Sequence, residues 1–218
     1  MNPKLFVIDV RRFGLIPALI RVVYGRASRV TNIRAYRFLA FAPENVNRKL
    51  VKCALPYECR LVESEEARAL LRDPMNQIPE EAYVPGTPGE GDFFYGIFDG
   101  GKLVNFACYA SGPTAVQRVG RISFDPSFLY NHSGYTKPSH RGRNLCSIGV
   151  ARASHELCAD GWRGIVTLIE ETNYASLRCA NRAGFRSCAR AVVLWRDQRS
   201  LIWQSHRASR YSLRLSPL

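Results

Sequence analysis

No run of about 18 consecutive apolar residues, the length a helix needs to cross a bilayer, occurs in the 218 residues of this chain. No membrane-spanning helix is therefore expected. The stretch from Phe13 to Tyr24 is too short, and Pro17 and Arg21 interrupt it. No small-residue cleavage site follows it, so a signal peptide is not expected either. The seven cysteines (Cys53, Cys59, Cys108, Cys146, Cys158, Cys179 and Cys188) form no CxxC pair and no metal-finger spacing. Several lie inside apolar segments, which points to a reduced, cytoplasmic chain rather than a disulfide framework. The histidines do not fall at metal-binding distance in sequence from carboxylates or cysteines, so no metal is expected. Acidic residues are scarce, 18 against 31 Lys and Arg. No internal repeat is visible.

What is present is ordinary for a globular protein: 46% hydrophobic and 22% charged residues, enough to bury a sizeable core. The net charge of +13 is uneven. Residues 1–60 hold 12 Lys and Arg against 3 acids, and residues 61–218 hold 19 against 15. Arg11, Arg12, Arg21, Arg26, Arg29, Arg34 and Arg37 alternate with Leu, Ile, Val, Tyr and Phe. A segment of this kind suits an anionic membrane surface or an acidic protein, or forms a basic, half-buried subdomain on the main fold. Nucleic acid is the less expected partner. The chain is divided accordingly into a basic arm, 1–55, and a main domain, 56–218, with the boundary near Leu55-Pro56.

After that boundary the pattern predicts a strand over Tyr57–Val62 and a helix opened by Ser64-Glu65-Glu66 and running to Arg72. A loop rich in Pro and Gly occupies 73–92. Phe93–Phe98, Asp99-Gly100-Gly101-Lys102 and Leu103–Tyr109 read as a β-hairpin. Strands follow at Arg121–Phe124 and Phe128–Lys137, the second with a break near Gly134. A helix over 143–160 carries Cys146, Val150, Ala153 and Leu157 on one stripe. Ile165–Ile169 is a short apolar strand, Asn173–Ala183 a helix stopped by Gly184, and Ala189–Trp195 a strand. The last twenty residues show no clear period. The expected fold is α/β, with a mixed, mostly antiparallel central sheet flanked by helices.

Tyr135–Cys146, reading YTKPSHRGRNLC, is the most informative stretch. A strand ends at Lys137-Pro138, a tight Arg141-Gly142-Arg143 turn follows, and a helix begins. The first N–H groups of a helix lack internal partners and sit at the positive end of its dipole. Strand, basic turn and helix N-terminus together predict a phosphate cradle.

TKPSHRGRNL, followed about thirty residues later by ETNYASLRCANRAGF, resembles the two signature motifs of the GNAT superfamily of acyl-CoA-dependent N-acyltransferases. The resemblance covers about residues 57–200. The first motif in that family is Arg/Gln-x-x-Gly-x-Gly/Ala. Here Arg141-Gly142 matches, Asn144 stands where Gly is usual, and Cys146 where Gly or Ala is usual. Asn173, Ser176 and Gly184-Phe185 match the second. The resemblance implies an acyltransferase that moves an acyl group, most simply acetyl, from acetyl-CoA or another acyl-CoA to a primary amine, a small molecule being the simplest acceptor.

It further implies that Arg141, Gly142, Arg143, Asn144, Leu145, Cys146 and Ser147 hold the cofactor's pyrophosphate. Tyr135 and Thr136 would lie along its pantetheine arm, which would pair with backbone exposed by a splay from Ile165–Ile169. Asn173 would contact the arm or cap its helix, with Ser176 beside it. Cys146 reads as a small apolar side chain filling a Gly/Ala slot, the alternative being a nucleophile activated at the helix N-terminus. Where the family often places a catalytic Glu, this chain has Tyr130, Asn131 and His132, which makes His132 the candidate base. The family's usual acid, a Tyr, is replaced by Ala180, and Tyr174 or Tyr135 would substitute. Glu170 and Glu171, at the end of the strand before Asn173, are further catalytic candidates; either could bind a cationic acceptor or be solvated at the strand end. Two alternatives stay open: an acyl carrier protein as donor, docked by the basic arm, or a lapsed binding protein on the same fold.

Overall fold

A computed structural model describes residues 3–52, 56–79, 82–83, 88–89, 91–116, 119–196 and 199–217. Two helices, α1 (Pro3–Phe13) and α2 (Leu15–Thr31), precede strand β1 (Ile33–Phe41) and a short helix α3 (Arg48–Val51). Then come β2 (Glu58–Val62), α4 (Ser64–Arg72), the hairpin β3 (Phe93–Asp99) and β4 (Lys102–Ala110), β5 (Thr114–Val116) and β6 (Gly120–Ser123). The remainder is β7 (Phe128–Thr136), α5 (Leu145–Ala159), β8 (Gly164–Glu170), α6 (Tyr174–Ala183), β9 (Arg186–Arg196), β10 (Arg199–Gln204) and β11 (Arg214–Ser216).

Eight strands form one sheet in the order β10-β9-β1-β8-β7-β4-β3-β2, and β11-β6-β5 form a smaller one. Within the large sheet only β7 and β8 run parallel; the other described pairings are antiparallel. A parallel pair needs a crossover, and α5 supplies it. One face of the sheet is covered by α5 and α6, whose Val150, Ala153, Leu157 and Leu177 pack on Leu39, Phe41, Leu129 and Ile165. The other face, with Phe38, Tyr130, Val166 and Val193, is closed by Ile122 of the small sheet and by Ala208, Leu213 and Leu215.

The expected division near Leu55-Pro56 does not separate two bodies. Residues 53–55 lie outside the described residues, but β1, inside the expected arm, is a central strand of the large sheet. Its side chains alternate between the faces, Tyr36, Phe38 and Ala40 to one core and Leu39 and Phe41 to the other. The arginines that disguise it are paired: Arg34 with Glu170 at 3.2 Å, and Arg37 with Glu171. The strand predicted at 128–137 has no break at Gly134; its irregularity falls two residues earlier. The C-terminal stretch without a clear period supplies β10 and β11. Of the predicted 73–92 loop, residues 80, 81, 84–87 and 90 lie outside the described residues.

Candidate functional site

The parallel pair β7–β8 holds together only at its start. The register runs from Phe128↔Gly164 to Asn131↔Thr167 and stops there. Yet β7 continues to Thr136, held on its far side by β4 (Asn105↔Thr136), and β8 continues to Glu170, held by β1 (Tyr36↔Glu170). Anchored on their outer edges, the strands diverge between them, and the facing backbone edges are not paired with each other. Backbone amides in such a gap need partners, and an extended ligand carrying amides of its own can supply them. A cleft of about 370 Å³ fills the gap, lined in part by His132, Gly134, Leu168, Glu170 and Asn173.

A bulge sits where the splay begins. Across β4 and β7 the register passes from Tyr109↔Asn131 to Cys108↔Ser133, leaving His132 as the extra residue. Bulges turn a strand and re-aim its side chains, often beside active sites. His132 Nδ1 lies 2.9 Å from Ser133 Oγ, while the buried Nε2 has no hydrogen-bond partner among the described residues. Burial pushes the imidazole down to about 4, with Asp92 opposing the shift. The ring is therefore neutral at pH 7, able to accept a proton but only weakly basic.

The cleft continues into a second cavity of about 370 Å³. Gly134, Cys146, Ser176 and Cys179 line both. This end is the predicted cradle. Gly142 takes φ 85° and Asn144 φ 59°, the left-handed conformations that turn the chain into α5. Asn144 occupies the N-cap position but makes no capping hydrogen bond with its side chain. Its Oδ1 instead accepts from Arg182 Nη1 at 2.7 Å. Arg12, from the end of α1, lines the same cavity as Arg141 and Arg182. Three arginines thus line a cavity at a helix N-terminus without a side-chain cap. That is a donor set suited to a pyrophosphate.

Most residues predicted to hold the cofactor meet here. Tyr135, Thr136, Arg141, Gly142, Asn144, Leu145, Cys146, Ser147 and Ser176 line the cradle. Arg141 donates to the Thr136 carbonyl at 3.1 Å, and its guanidinium lies 5.9 Å from the Tyr135 ring centroid. Arg143 does not line either cavity; it donates to the Tyr57 hydroxyl. Asn173 lines the cleft and caps α6, accepting from Ser176 N at 3.2 Å. Tyr174 is directed elsewhere, with its ring centroid 5.8 Å from that of Phe13. Glu170 reaches the cleft but carries Arg34 on its carboxylate, and Glu171 is shared between Arg37 and Arg190.

Cys146 does more than fill a small slot. It forms a disulfide with Cys179, joining the first turn of α5 to α6 along the wall of the cleft. The expectation of a wholly reduced chain is corrected at this pair; Cys59, Cys108, Cys158 and Cys188 are free. Spacing gave no warning, because the two cysteines lie 33 residues apart and meet only when both helices dock on one face of the sheet. Buried Asn105 was also missed. It donates to the Tyr135 carbonyl and to Thr136 Oγ1, both at 2.8 Å, and so pins the far end of β7. Its only sequence signal is a polar residue inside the apolar strand LVNFACYA.

Comparison with family models and with curated proteins finds no match. Solved structures do match. A Novosphingobium aromaticivorans protein assigned to the GNAT family of acetyltransferases superposes with TM-score 0.52 at 15% identity, over 74% of this chain and 63% of its own. A GNAT-family acetyltransferase from Colwellia psychrerythraea gives 0.49 at 15% identity, over 74% and 55%. A GCN5-related N-acetyltransferase-like protein from Streptococcus suis gives 0.48 at 15% identity, over 84% and 68%. The chain thus spans less than two thirds of the first two structures. At this identity the likeness is one of fold, and the fold is that of the GNAT acyltransferases.

Proposed function

We propose that the protein is an N-acyltransferase that moves an acyl group, most simply acetyl, from acyl-CoA to a primary amine by direct attack on the thioester. One observation carries this reading: a single trench runs from the His132 bulge, along the unpaired edges of β7 and β8, to the N-terminus of α5. The residues fit the donor. Backbone N–H groups at Leu145–Ser147, with Arg12, Arg141 and Arg182, would hold its pyrophosphate, and the splayed strand edges would pair with the amides of its pantetheine arm. The donor supplies an activated thioester carbonyl. At the other end, in the tautomer whose Nδ1–H donates to Ser133 Oγ, neutral His132 would offer Nε2 to accept the proton that the attacking amine must lose, and the carboxylate of Glu170, paired with Arg34, lines the same cleft. Ala180 supplies no acid for a departing thiolate, and of the two expected substitutes Tyr174 lines neither cavity while Tyr135 lines the cradle; a CoA thiolate is a good enough leaving group to need little help.

The test is thiol release from acetyl-CoA across a panel of amino sugars, amino acids and polyamines. Amine-dependent release is expected. His132→Gln should lower kcat by about 10²- to 10⁴-fold while acetyl-CoA still binds. Because burial holds His132 near 4, the rate above that pH should follow only the deprotonation of the acceptor amine. A further proton-linked fall near 6.5, the ordinary value for histidine, would contradict this assignment, as would unchanged turnover in His132→Gln. Binding of acetyl-CoA without release to any amine would favour the lapsed binding protein.

A further inference from the structure

The outer face of α2 has no evident role in the fold or in the trench. Ala18 is buried and Val22, Gly25 and Ser28 are partly buried, a spacing of three and four residues that turns this side of the helix inward. On the opposite side lie Ile16, Leu19, Ile20, Val23, Ala27 and Val30, repeating at the same spacing and all exposed. Ile16 is 71% exposed, Val23 66% and Val30 84%. Val7 and Ile8 of α1 and Leu15 of α2 are exposed as well. Among the described residues, nine of the thirteen exposed large hydrophobics thus lie between Val7 and Ile33. Isolated apolar side chains on a surface need no explanation, but a continuous stripe along a whole helix does.

Charge selects the occupant. Residues 1–31 contain Lys4, Arg11, Arg12, Arg21, Arg26 and Arg29 against one acid, Asp9, and Asp9 is engaged by Arg21 at 2.9 Å. Arg11, Arg12, Arg21, Arg26 and Arg29 are all exposed. On a helix at about 100° per residue, Arg26 adjoins the stripe, while Arg21 and Arg29 fall on the side of Ala18 and Val22. Long basic side chains beside an apolar stripe can extend to a headgroup layer while the stripe enters the acyl boundary. A second copy of the chain fits less well, since it would bring two hairpins of like charge together. No helix among the described residues is long and apolar enough to cross a membrane, which leaves the in-plane arrangement.

We propose that α2 lies in the plane of an anionic lipid bilayer, with Ile16, Ile20, Val23 and Val30 inserted, Arg26 beside them at the lipid phosphates, and the remaining basic charge of the hairpin drawn to the anionic surface. The surface is tied to the trench. Phe13, at the α1–α2 turn, has its ring 5.8 Å from Tyr174 and beneath Arg178 at 5.0 Å, and Arg12 lines the cradle. Docking through α2 therefore holds the donor cleft beside the membrane. The proposal does not rest on the acyltransferase reading.

The test is co-sedimentation of the full chain with vesicles of phosphatidylcholine containing phosphatidylglycerol, and with vesicles of phosphatidylcholine alone. Binding is expected to the first, falling about tenfold or more in Ile20→Gln/Val23→Gln and in salt of about 1 M, where charges are screened beyond about 3 Å. The substituted residues are exposed, so the melting temperature of the double variant should match the parent and exclude misfolding. Absence of binding to anionic vesicles overturns the proposal. So does equal binding by parent and variant, or lipid-independent self-association that the double substitution abolishes, which would make the stripe a contact between copies. Saturable binding to an acidic protein in place of vesicles would assign it to a protein partner instead.

Discussion

Gly184→Ala destabilises the protein by about 3–5 kcal/mol, combining left-handed backbone strain with overpacking. The fall in melting temperature is roughly 10 °C for a chain of this size. Gly184 ends α6 at φ 122°, a conformation that side chains rarely adopt. Space is as restrictive as the dihedral. A methyl group there would stand 2.2 Å from the carbonyl oxygen of Asn45, a backbone atom that cannot swing aside. The contact belongs to a lacing of the 45–47 segment over the end of α6. Asn47 N donates to the Ala183 carbonyl at 3.3 Å, and Asn47 Nδ2 to that of Arg182 at 2.9 Å. Phe185 follows, buried, with its ring 5.3 Å from Phe41.

The closing Gly-Phe of the second motif is therefore a packing device that locks α6, and with it Arg182 and Cys179, against the segment after β1. Gly25→Ala supplies the opposite case. Gly25 lies inside α2 with nothing within 4 Å of an added methyl, so that substitution stabilises by about 0.5–1 kcal/mol. Paired thermal melts check both signs. Gly184→Ala melting with the parent would show that α6 does not end against Asn45.

Reduction of Cys146–Cys179 lowers the melting temperature by roughly 7–15 °C. The bond closes a loop spanning 33 residues, and a loop of that size limits the unfolded chain by about 3.7 kcal/mol. Each kcal/mol is worth roughly 2–4 °C at this length. Cys146→Ala, Cys179→Ala and the double variant should all melt together, because each removes the same bond, and reductant should not shift them further. An additive effect of the two single variants, or a parent indifferent to reductant, would show that the cysteines act separately. The bond bears on the site because both of its residues line the cleft and the cradle. It fixes the spacing of α5 and α6 where the two cavities join.

Local signals carried much of the fold. The β3–β4 hairpin, α4, α5, β8 and α6 were legible because turn residues, capping residues and apolar periodicity agreed there. The turn into α5 was legible for the same reason: Gly142 and Asn144 are the residue types that take positive φ. What could not be read was set by distance along the chain. β1 was hidden because Arg34 and Arg37 look solvated until Glu170 and Glu171 arrive from more than 130 residues away. Arg12 and Arg182 join the cradle only through the docking of α1 and α6. The bulge at His132 depends on the register with β4, which a single strand does not reveal. A histidine could be singled out there; the reason it points into a cleft could not.

Calorimetric titration with acetyl-CoA tests most directly whether the trench between β7 and β8 is a donor site. Saturable one-to-one binding is predicted, with a matching rise in melting temperature, since a ligand that binds only the folded state must stabilise it. Arg182→Glu should weaken it about tenfold or more by removing a charged donor from the cradle. Failure of acetyl-CoA, longer acyl-CoAs and CoA alike to give heat or to raise the melting temperature would contradict the assignment.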